Sequence, residues 1–228
     1  MREIVVDTET TGLDPADGHR VIEIGCVELF GHVPTGRTFH HYLNPQRLIP
    51  LEAQRVHGLT DEFLAEKPLF AAIADELIEF FGDAPLVIHN AAFDLKFMNA
   101  EFSRLSKPLL SAARAIDTIE IAKAKLPGAR YSLDELCKRF GIDLSGRGKH
   151  GALIDAELTA RVYLELVGGR QTKLRLAPRD SVEATIAGTV AARPRPEPLP
   201  PRISLTEAVA HAEFVAQELG NDAVWNWQ

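Results

Sequence analysis

The sequence predicts an α/β protein in which helices flank a mixed β-sheet. Segment 1–45 contains apolar runs separated by turn residues, a pattern typical of an antiparallel meander. After it, short apolar runs alternate with helical patterns, as expected where helices connect strands that lie parallel in one sheet. A proline-rich segment, 177–202, then leads to a helical pattern near the C-terminus. We therefore expect an α/β domain at 1–170, followed by a flexible linker and a short C-terminal helix.

Each element is predicted from apolar spacing and from the residues that bound it. Strands are expected at 4–6, 20–29, 39–43, 85–88 and 115–117, with turns at 14–15 and 31–36. Helices are expected at 51–58, 68–81, 93–105 and 132–141, with others that begin at 118, before Leu158 and at Ser204. Ser132 with Glu135, Ser204 with Glu207, and Asp117 with Glu120 are expected to cap three of these helices.

The first strand runs directly into Asp7 and Glu9. Its three branched apolar residues in succession indicate burial on both faces, and Thr10, Thr11 and Gly12 are expected to end it. Side chains two positions apart on a strand share a face, so both carboxylates project the same way. At roughly 4 Å and an effective dielectric constant near 20, they would repel by about 4 kcal/mol. Mg²⁺ or Mn²⁺ held by oxygen ligands would neutralise them; two solvated acids at a strand end are the alternative.

Two further acids occupy the first turns of predicted helices. Asp94 follows the strand at 85–88 and faces the interior, where the N-terminus of its helix favours the ionised carboxylate. Asp155 lies three residues before Leu158, on the apolar face of the last long helix, and His150 precedes that helix on a glycine-rich loop. The alternatives are acids that only stabilise their own helices and a histidine at the surface.

Composition and charge narrow the class of protein. A hydrophobic content of 46% and a charged content of 25% are ordinary for a globular protein. The formal net charge of −7 argues against tight electrostatic binding of duplex nucleic acid, but not against an enzyme that meets phosphates through metals. No apolar run reaches the ~18 residues of a membrane span, and no signal-peptide pattern is present. Cys26 and Cys137 lack metal-binding spacing and are expected to be free thiols in a reducing cytoplasm.

Taken together, three motifs resemble those of the DEDDh 3′→5′ exonucleases. They are Asp7-Thr8-Glu9-Thr10-Thr11-Gly12, His89-Asn90-Ala91-Ala92-Phe93-Asp94 and His150-x4-Asp155, in that order. The likeness covers roughly the first three quarters of the chain and is greatest to the proofreading subunits of bacterial replicative polymerases. It implies a ribonuclease H-like fold and removal of mispaired nucleotides from 3′ DNA ends by two-metal hydrolysis.

The resemblance also implies a role for each matching residue. Two Mg²⁺ or Mn²⁺ ions would be held by Asp7, Glu9, Asp94 and Asp155, and His150 would be the general base. In this family a Glu and a His before the first long helix touch the terminal nucleotide, and Glu52 and His57 match that place. The residues expected to bind substrate are Asp7, Glu9, Thr10, Glu52, His57, Asn90 and Asp155.

The C-terminal quarter is expected to bind other replication proteins. Segment 171–176 resembles the short peptides that dock on the sliding clamp, with Gln171, Leu174 and Leu176 as contacts; a chance match or an edge strand is the alternative. The resemblance implies that the tail 203–228 binds the polymerase (alpha) subunit, and a small theta-like subunit is a further expected partner. The expected polymerase contacts are Leu205, Phe214, Trp225 and Trp227. A tail that packs on its own domain is the alternative.

Two other functions remain open at the level of sequence. A stand-alone DEDDh exonuclease that acts on RNA or short oligonucleotides would have the same active-site residues, but would not need the linker and the tail. A non-catalytic scaffold between clamp and polymerase would not need the acids and His150.

Overall fold

The protein is described here from a computed structural model covering residues 1–145, 150–168 and 204–219. The chain divides into two units, Met1–Leu174 and Arg175–Gln228, and each is described by itself. The first unit contains the sheet and the helices that cover it. The described part of the second unit is a single helical segment.

The sheet is mixed and five-stranded, as the sequence predicts. Its strands are β1 (Arg2–Thr10), β2 (Val21–Phe30), β3 (Val33–Tyr42), β4 (Leu86–Ile88) and β5 (Ala115–Asp117). The spatial order is β3-β2-β1-β4-β5. The first three strands form the antiparallel meander, whereas β4 is parallel to β1 and β5 is parallel to β4. The central strand β1 therefore has an antiparallel neighbour on one side and a short parallel neighbour on the other.

Helices cover both faces of this sheet. Those of the first unit are α1 (Leu51–His57), α2 (Asp61–Ala65), α3 (Phe70–Phe81), α4 (Ala91–Arg104), α5 (Thr118–Lys125), α6 (Leu133–Phe140) and α7 (Ala152–Val167). The second unit contains α8 (Leu205–Phe214), which continues into a π-helical turn at Val215–Leu219. Within the described ranges, every helix is too short or too polar to cross a membrane.

The alternation of side chains along β1 assigns its residues to two cores. Ile4 and Val6 are fully buried in the core that α3 and α4 form on one face of the sheet. Val5 is fully buried in the core that α7 forms on the other face. Asp7 and Glu9 continue the Val5 series and therefore face α7, whereas Thr8 continues the Val6 series and faces α4. The prediction that this strand is buried on both faces is confirmed.

Several smaller predictions are confirmed as well. Gly58 adopts a left-handed conformation and ends α1, and Ser204 forms a capping box with Glu207 at the start of α8. Cys26 and Cys137 are both free and buried.

Strand lengths differ from the sequence prediction in two places. β1 spans Arg2–Thr10 and so is longer than the predicted run at 4–6, because β2 pairs with it over that whole length, whereas it ends at the predicted breakers. The predicted turn at 31–36 is wrong, since only Gly31 and His32 form the turn and β3 already begins at Val33. Both turn residues have positive φ (59° and 68°), the conformation that a tight two-residue hairpin requires.

Helix starts show two further corrections. Ser132 makes no side-chain capping bond to α6, and Glu135 pairs instead with Lys138 at 3.0 Å. The short helix α2 is absent from the sequence prediction, although the Thr60 side chain caps it by accepting the N–H of Phe63 at 3.3 Å. A helix of one or two turns carries too little periodicity to be predicted from apolar spacing.

Candidate active site

The site begins where β4 stops beside β1. β4 pairs with β1 only along Ile4–Val6 and ends at Ile88, opposite Val6, whereas β2 pairs with β1 as far as Thr10. Asp7 and Glu9 therefore have a neighbouring strand on one side only. On the other side the sheet opens into a cavity, so the two carboxylates are reachable although they belong to the central strand.

Asp94 reaches this cavity from the first turn of α4. Its carboxylate is buried, with 3% of the residue exposed. The Thr8 hydroxyl donates a hydrogen bond of 2.7 Å to Asp94 Oδ1. Because Thr8 lies between Asp7 and Glu9 on β1, this bond ties the second motif directly to the first.

Asp155 and His150 approach from the opposite face of the sheet. Asp155 is buried in the first turn of α7, and its Oδ2 lies 3.0 Å from His150 Nδ1. The His150 side chain is about half exposed. The backbone N–H of His150 donates to the carbonyl oxygen of Val56 at 3.4 Å, which joins the segment before α7 to helix α1.

Gly25 allows α7 to come this close to the sheet. It lies on β2 directly opposite Asp7. A Cβ atom at this position would lie 2.3 Å from the carbonyl carbon of Ala152 and from the nitrogen of Leu153. The first turn of α7 therefore packs directly against the backbone of β2 at Gly25, and this contact determines how near Asp155 comes to Asp7. A glycine within a strand is a known signal for such an approach, but it does not identify the partner.

All five residues of the predicted catalytic set line one cavity of about 520 Å³. Its described lining residues are Asp7, Thr8, Glu9, Leu13, His89, Asn90, Phe93, Asp94, Ile119, Ser132, Leu133, His150 and Asp155. Thr8, His89 and Phe93 lie within the motifs but were not predicted as site residues, and sequence reasoning missed four further lining residues, Leu13, Ile119, Ser132 and Leu133. These four carry no charge and no distinctive spacing, so only the fold brings them to the site.

The electrostatics of the cluster favour a bound cation. Burial raises the pKa of Asp7 well above its usual value, and the neighbouring carboxylates of Asp94, Glu9 and Asp155 raise it further. Burial also raises the pKa of Asp94 to about 7, against the hydrogen bond from Thr8, which lowers it. A dication placed among these oxygens would remove the mutual repulsion and favour the ionised forms.

The geometry of possible ligand atoms agrees with this. One oxygen each from Glu9 and Asp155 and one ring nitrogen of His150 lie within 4.8 Å of one another, and Asp7 and Asp94 line the same cavity. The donor set is dominated by carboxylate oxygens, which suits Mg²⁺ or Mn²⁺. The residues present therefore fit a divalent metal site.

The other predicted substrate residues lie in different surroundings. Asn90 is exposed and lines the cavity. Thr10 is buried, and its hydroxyl donates to the carbonyl oxygen of Gly12 at 2.6 Å. Glu52 is exposed and lines a second cavity of about 420 Å³, which shares Leu13 with the first. His57 is buried, its Nδ1 accepts the N–H of Leu59 at 3.0 Å, and it is not among the described lining residues of either cavity. These substrate roles stay predictions.

The predictions for the C-terminal quarter can be followed only in part. Leu205 and Phe214 lie on α8 and are exposed, by 87% and 56%. The remaining predicted contacts, Gln171, Leu174, Leu176, Trp225 and Trp227, lie outside the described residues, as does the predicted linker at 177–202.

Comparisons with known proteins identify the family and agree with the fold. Residues 4–163 match an exonuclease family model. The DNA polymerase III subunit epsilon of Rickettsia conorii is 53% identical over 190 residues, which are 82% of this chain and 83% of that protein. The Escherichia coli K12 protein of the same name is 48% identical over 183 residues, 77% of this chain and 75% of that protein.

Solved structures show the same fold. Exonuclease X in complex with 5′ overhanging duplex DNA is 26% identical and has a TM-score of 0.57 over 72% of this chain and 90% of that chain. The nuclease domain of 3′hExo, a DEDDh family member bound to rAMP, is 21% identical and has a TM-score of 0.63 over 73% of this chain and 91% of that chain. At that identity the second likeness shows the fold alone.

Fold and site together define a metal-dependent exonuclease of the DEDDh class, a class that uses divalent ions. Within that class, the chain belongs to the DNA polymerase III subunit epsilon family.

Proposed function

We propose that this chain is the proofreading 3′→5′ exonuclease of a replicative DNA polymerase and removes mispaired nucleotides from the 3′ end of the growing strand. One observation carries the proposal. Three motifs that are far apart in the chain bring four carboxylates and one imidazole to a single cavity. The name shared by its relatives supports the association with a polymerase.

We assign the metal ligands to Asp7, Glu9, Asp94 and Asp155, which together would hold two Mg²⁺ or Mn²⁺ ions. When bound, such ions lower the pKa of a water molecule and neutralise charge on the scissile phosphate. The chain's own contribution is to hold the carboxylates in place. The Thr8 hydroxyl orients Asp94 through its 2.7 Å hydrogen bond, and Gly25 lets the first turn of α7 deliver Asp155.

His150 is assigned as the general base. An imidazole gains or loses a proton near neutral pH, which suits the removal of a proton from the attacking water. The Asp155 carboxylate, 3.0 Å from Nδ1, orients the ring. The side chain is about half exposed and lines the cavity, so water and substrate can both reach it.

The 3′-terminal nucleotide is proposed to bind across the two neighbouring cavities. Asn90 and the metal-site acids Asp7, Glu9 and Asp155 would meet it in the first cavity, and Glu52 in the second. Thr10, next to Glu9 on β1, is proposed as a further contact. His57 would act from the end of α1, where it follows Val56, a lining residue of the second cavity. A single-stranded end fits this arrangement because the carboxylates would repel the second backbone of a duplex.

The C-terminal segments are proposed to connect the nuclease to its partners. An exonuclease domain at 1–170 would be followed by a clamp-binding motif at 171–176, through Gln171, Leu174 and Leu176. A flexible linker at 177–202 would then lead to a tail at 203–228. Tail residues Leu205, Phe214, Trp225 and Trp227 would bind the polymerase III alpha subunit. A theta-like subunit is a further proposed partner, and replication would place the complex in the cytoplasm.

The decisive experiment compares digestion of a matched and a mismatched primer terminus, with and without EDTA. We expect the mismatched end to be removed faster and EDTA to abolish both reactions. Loss of activity in His150→Ala but not in His211→Ala, on exposed α8, would support the assigned base. Equal rates on the matched and mismatched termini would contradict proofreading. Faster digestion of an RNA strand of the same sequence than of the DNA primer would contradict it as well.

A second experiment tests the tail. Deletion of residues 202–228 should leave nuclease activity on single-stranded DNA unchanged, while the truncated chain should no longer co-purify with the polymerase alpha subunit. Intact co-purification would disprove the assignment of the tail.

A further inference from the structure

Asp117, the last residue of β5, joins two turns that lie side by side at the edge of the active-site cavity. Its Oδ1 accepts the backbone N–H of Asn90 at 3.2 Å and that of Ile119 at 2.8 Å. Its Oδ2 accepts the N–H of Ala91 at 3.0 Å. One carboxylate therefore binds the start of α4, which is distant in sequence, as well as the start of its own helix α5.

These bonds replace a cap that α4 lacks. The first N–H groups of a helix have no partner within the helix, and a side chain at the N-cap position usually accepts one of them. The N-cap residue of α4, Asn90, forms no such side-chain bond. Asp117 supplies the missing acceptor from another element, and a negative charge at two helix N-termini is favourable.

The conformation of Asn90 depends on the same contact. Its φ of 71° lies in the left-handed region, which costs a residue other than glycine of order 1 kcal/mol or more. A residue keeps such a conformation only where its surroundings enforce it. The Asp117 bonds to the N–H groups of Asn90 and Ala91 provide that enforcement. The neighbouring His89 and Thr118 add a second link between the same turns, with Nδ1 and Oγ1 2.8 Å apart.

The segment held in this way carries functional groups. Asn90 lines the cavity, and Asp94 lies in the first turn of α4, one turn after the capped N–H groups. Asp117 itself is not among the described residues that line the cavity. Its effect on the reaction is therefore indirect, through its bonds to the start of α4 and through its charge, which raises the pKa of Asp94.

We infer that Asp117 is a positioning residue: it fixes Asn90 and the first turn of α4 so that Asp94 is presented to Asp7. The inference rests on the proposed function, because it assigns Asp94 to the metal site. An isosteric amide cannot replace the carboxylate, since one of its two polar atoms is a donor that would face a backbone N–H.

The chain offers a matched control on the same helix. The Asn99 side chain also binds backbone across a loop, accepting the N–H of Leu110 at 2.7 Å and donating to its carbonyl oxygen at 3.0 Å. Asn99→Ala therefore removes two hydrogen bonds from α4 without touching its first turn. A purely structural role for Asp117 predicts that both variants behave alike.

The first measurement is hydrogen exchange of the full-length chain without metal or DNA. In Asp117→Asn the amides of segment 89–95 should exchange about tenfold faster than in wild type, because the capping bonds are lost. In Asn99→Ala they should exchange at the wild-type rate. Unchanged exchange of this segment in Asp117→Asn would overturn the inference.

The second measurement is binding of Mn²⁺, followed by calorimetry, together with kcat and KM on single-stranded DNA. Asp117→Asn should weaken Mn²⁺ binding and lower kcat, each by about 10–100-fold, as is usual for groups that orient metal ligands. Asn99→Ala should stay within about twofold of wild type in both measurements. If both variants lose Mn²⁺ affinity equally, the positioning role is refuted. If wild type itself neither binds Mn²⁺ nor digests DNA, the proposed function fails instead.

Discussion

The close approach of α7 to Gly25 makes Gly25→Ala the sharpest test of how this site is built. The added Cβ would lie 2.3 Å from two backbone atoms of α7 and 2.5 Å from the Ala152 carbonyl oxygen. Favourable contacts between such atoms lie at about 3.5–4.0 Å, so the start of α7 must move by about 1 Å. Backbone cannot rotate away as a flexible side chain can, so the displacement reaches Asp155 and His150.

A shift of this size should reduce activity far more than stability. Misplacement of catalytic groups by about 1 Å can cost about 100-fold in rate. The overpacking itself should lower the free energy of unfolding by about 1–3 kcal/mol. We therefore expect the Gly25→Ala protein to be folded at 25 °C yet roughly 100-fold slower in digesting a single-stranded 3′ end with Mn²⁺.

The control is Val162→Ala, which weakens the packing of the same helix far from its start. Val162 is fully buried against α6, and loss of its two methyl groups should cost about 2 kcal/mol. Thermal unfolding should show similar losses of stability in the two variants, whereas the nuclease assay should show a large loss of rate only in Gly25→Ala. Wild-type rates for Gly25→Ala, or an equal loss of activity in Val162→Ala, would refute the reasoning.

Three other substitutions probe the acids and their partners. In EDTA at pH 7, Asp7→Asn should be more stable to urea than wild type, and this gain should vanish near pH 4. The raised pKa of Asp7 means that the folded state holds more protons than the unfolded state above about pH 4, so wild-type stability falls as the pH rises; a pH-independent difference would contradict this. Thr8→Val removes the 2.7 Å bond to Asp94 and should weaken Mn²⁺ binding by about tenfold in a calorimetric titration. Unchanged Mn²⁺ affinity would show that the hydroxyl does not orient Asp94. Tyr163→Phe removes the hydroxyl that donates to buried Glu3 at 2.7 Å, and should lower stability in thermal unfolding by about 1–3 kcal/mol without changing nuclease rates. A slower Tyr163→Phe enzyme would show that this contact, at the opposite end of β1 from Asp7 and Glu9, also supports the site.

The residues of the site could be predicted because each acid stands at a recognisable boundary. Asp7 follows an apolar run, and Asp94 and Asp155 fall within first helical turns ahead of apolar stripes. Local patterns of this kind are set by residues within one or two turns, so they can be read without the fold. The same holds for Gly58, which ends α1, and for the capping box at Ser204.

What could not be predicted depends on partners that are distant in the sequence. From the sequence, Gly25 is only a glycine that weakens a strand, and its contact with α7 is visible only in the structure. Asp117 was expected to cap only its own helix, whereas two of its three backbone partners lie 26 and 27 residues earlier. The start of β3 was missed because its first six residues are exposed and show no alternation.

The positions of the acids are set by apolar neighbours rather than by the acids themselves. Like charges cannot hold a cluster together: burial raises the pKa values of both Asp7 and Asp94, and repulsion by the neighbouring carboxylates raises that of Asp7 further. Each acid, however, adjoins a fully buried anchor: Val6 lies beside Asp7, Phe97 one turn after Asp94, and Ala156 beside Asp155. The two cores on opposite faces of β1 therefore force the carboxylates together, and the energy stored in their repulsion becomes affinity for dications.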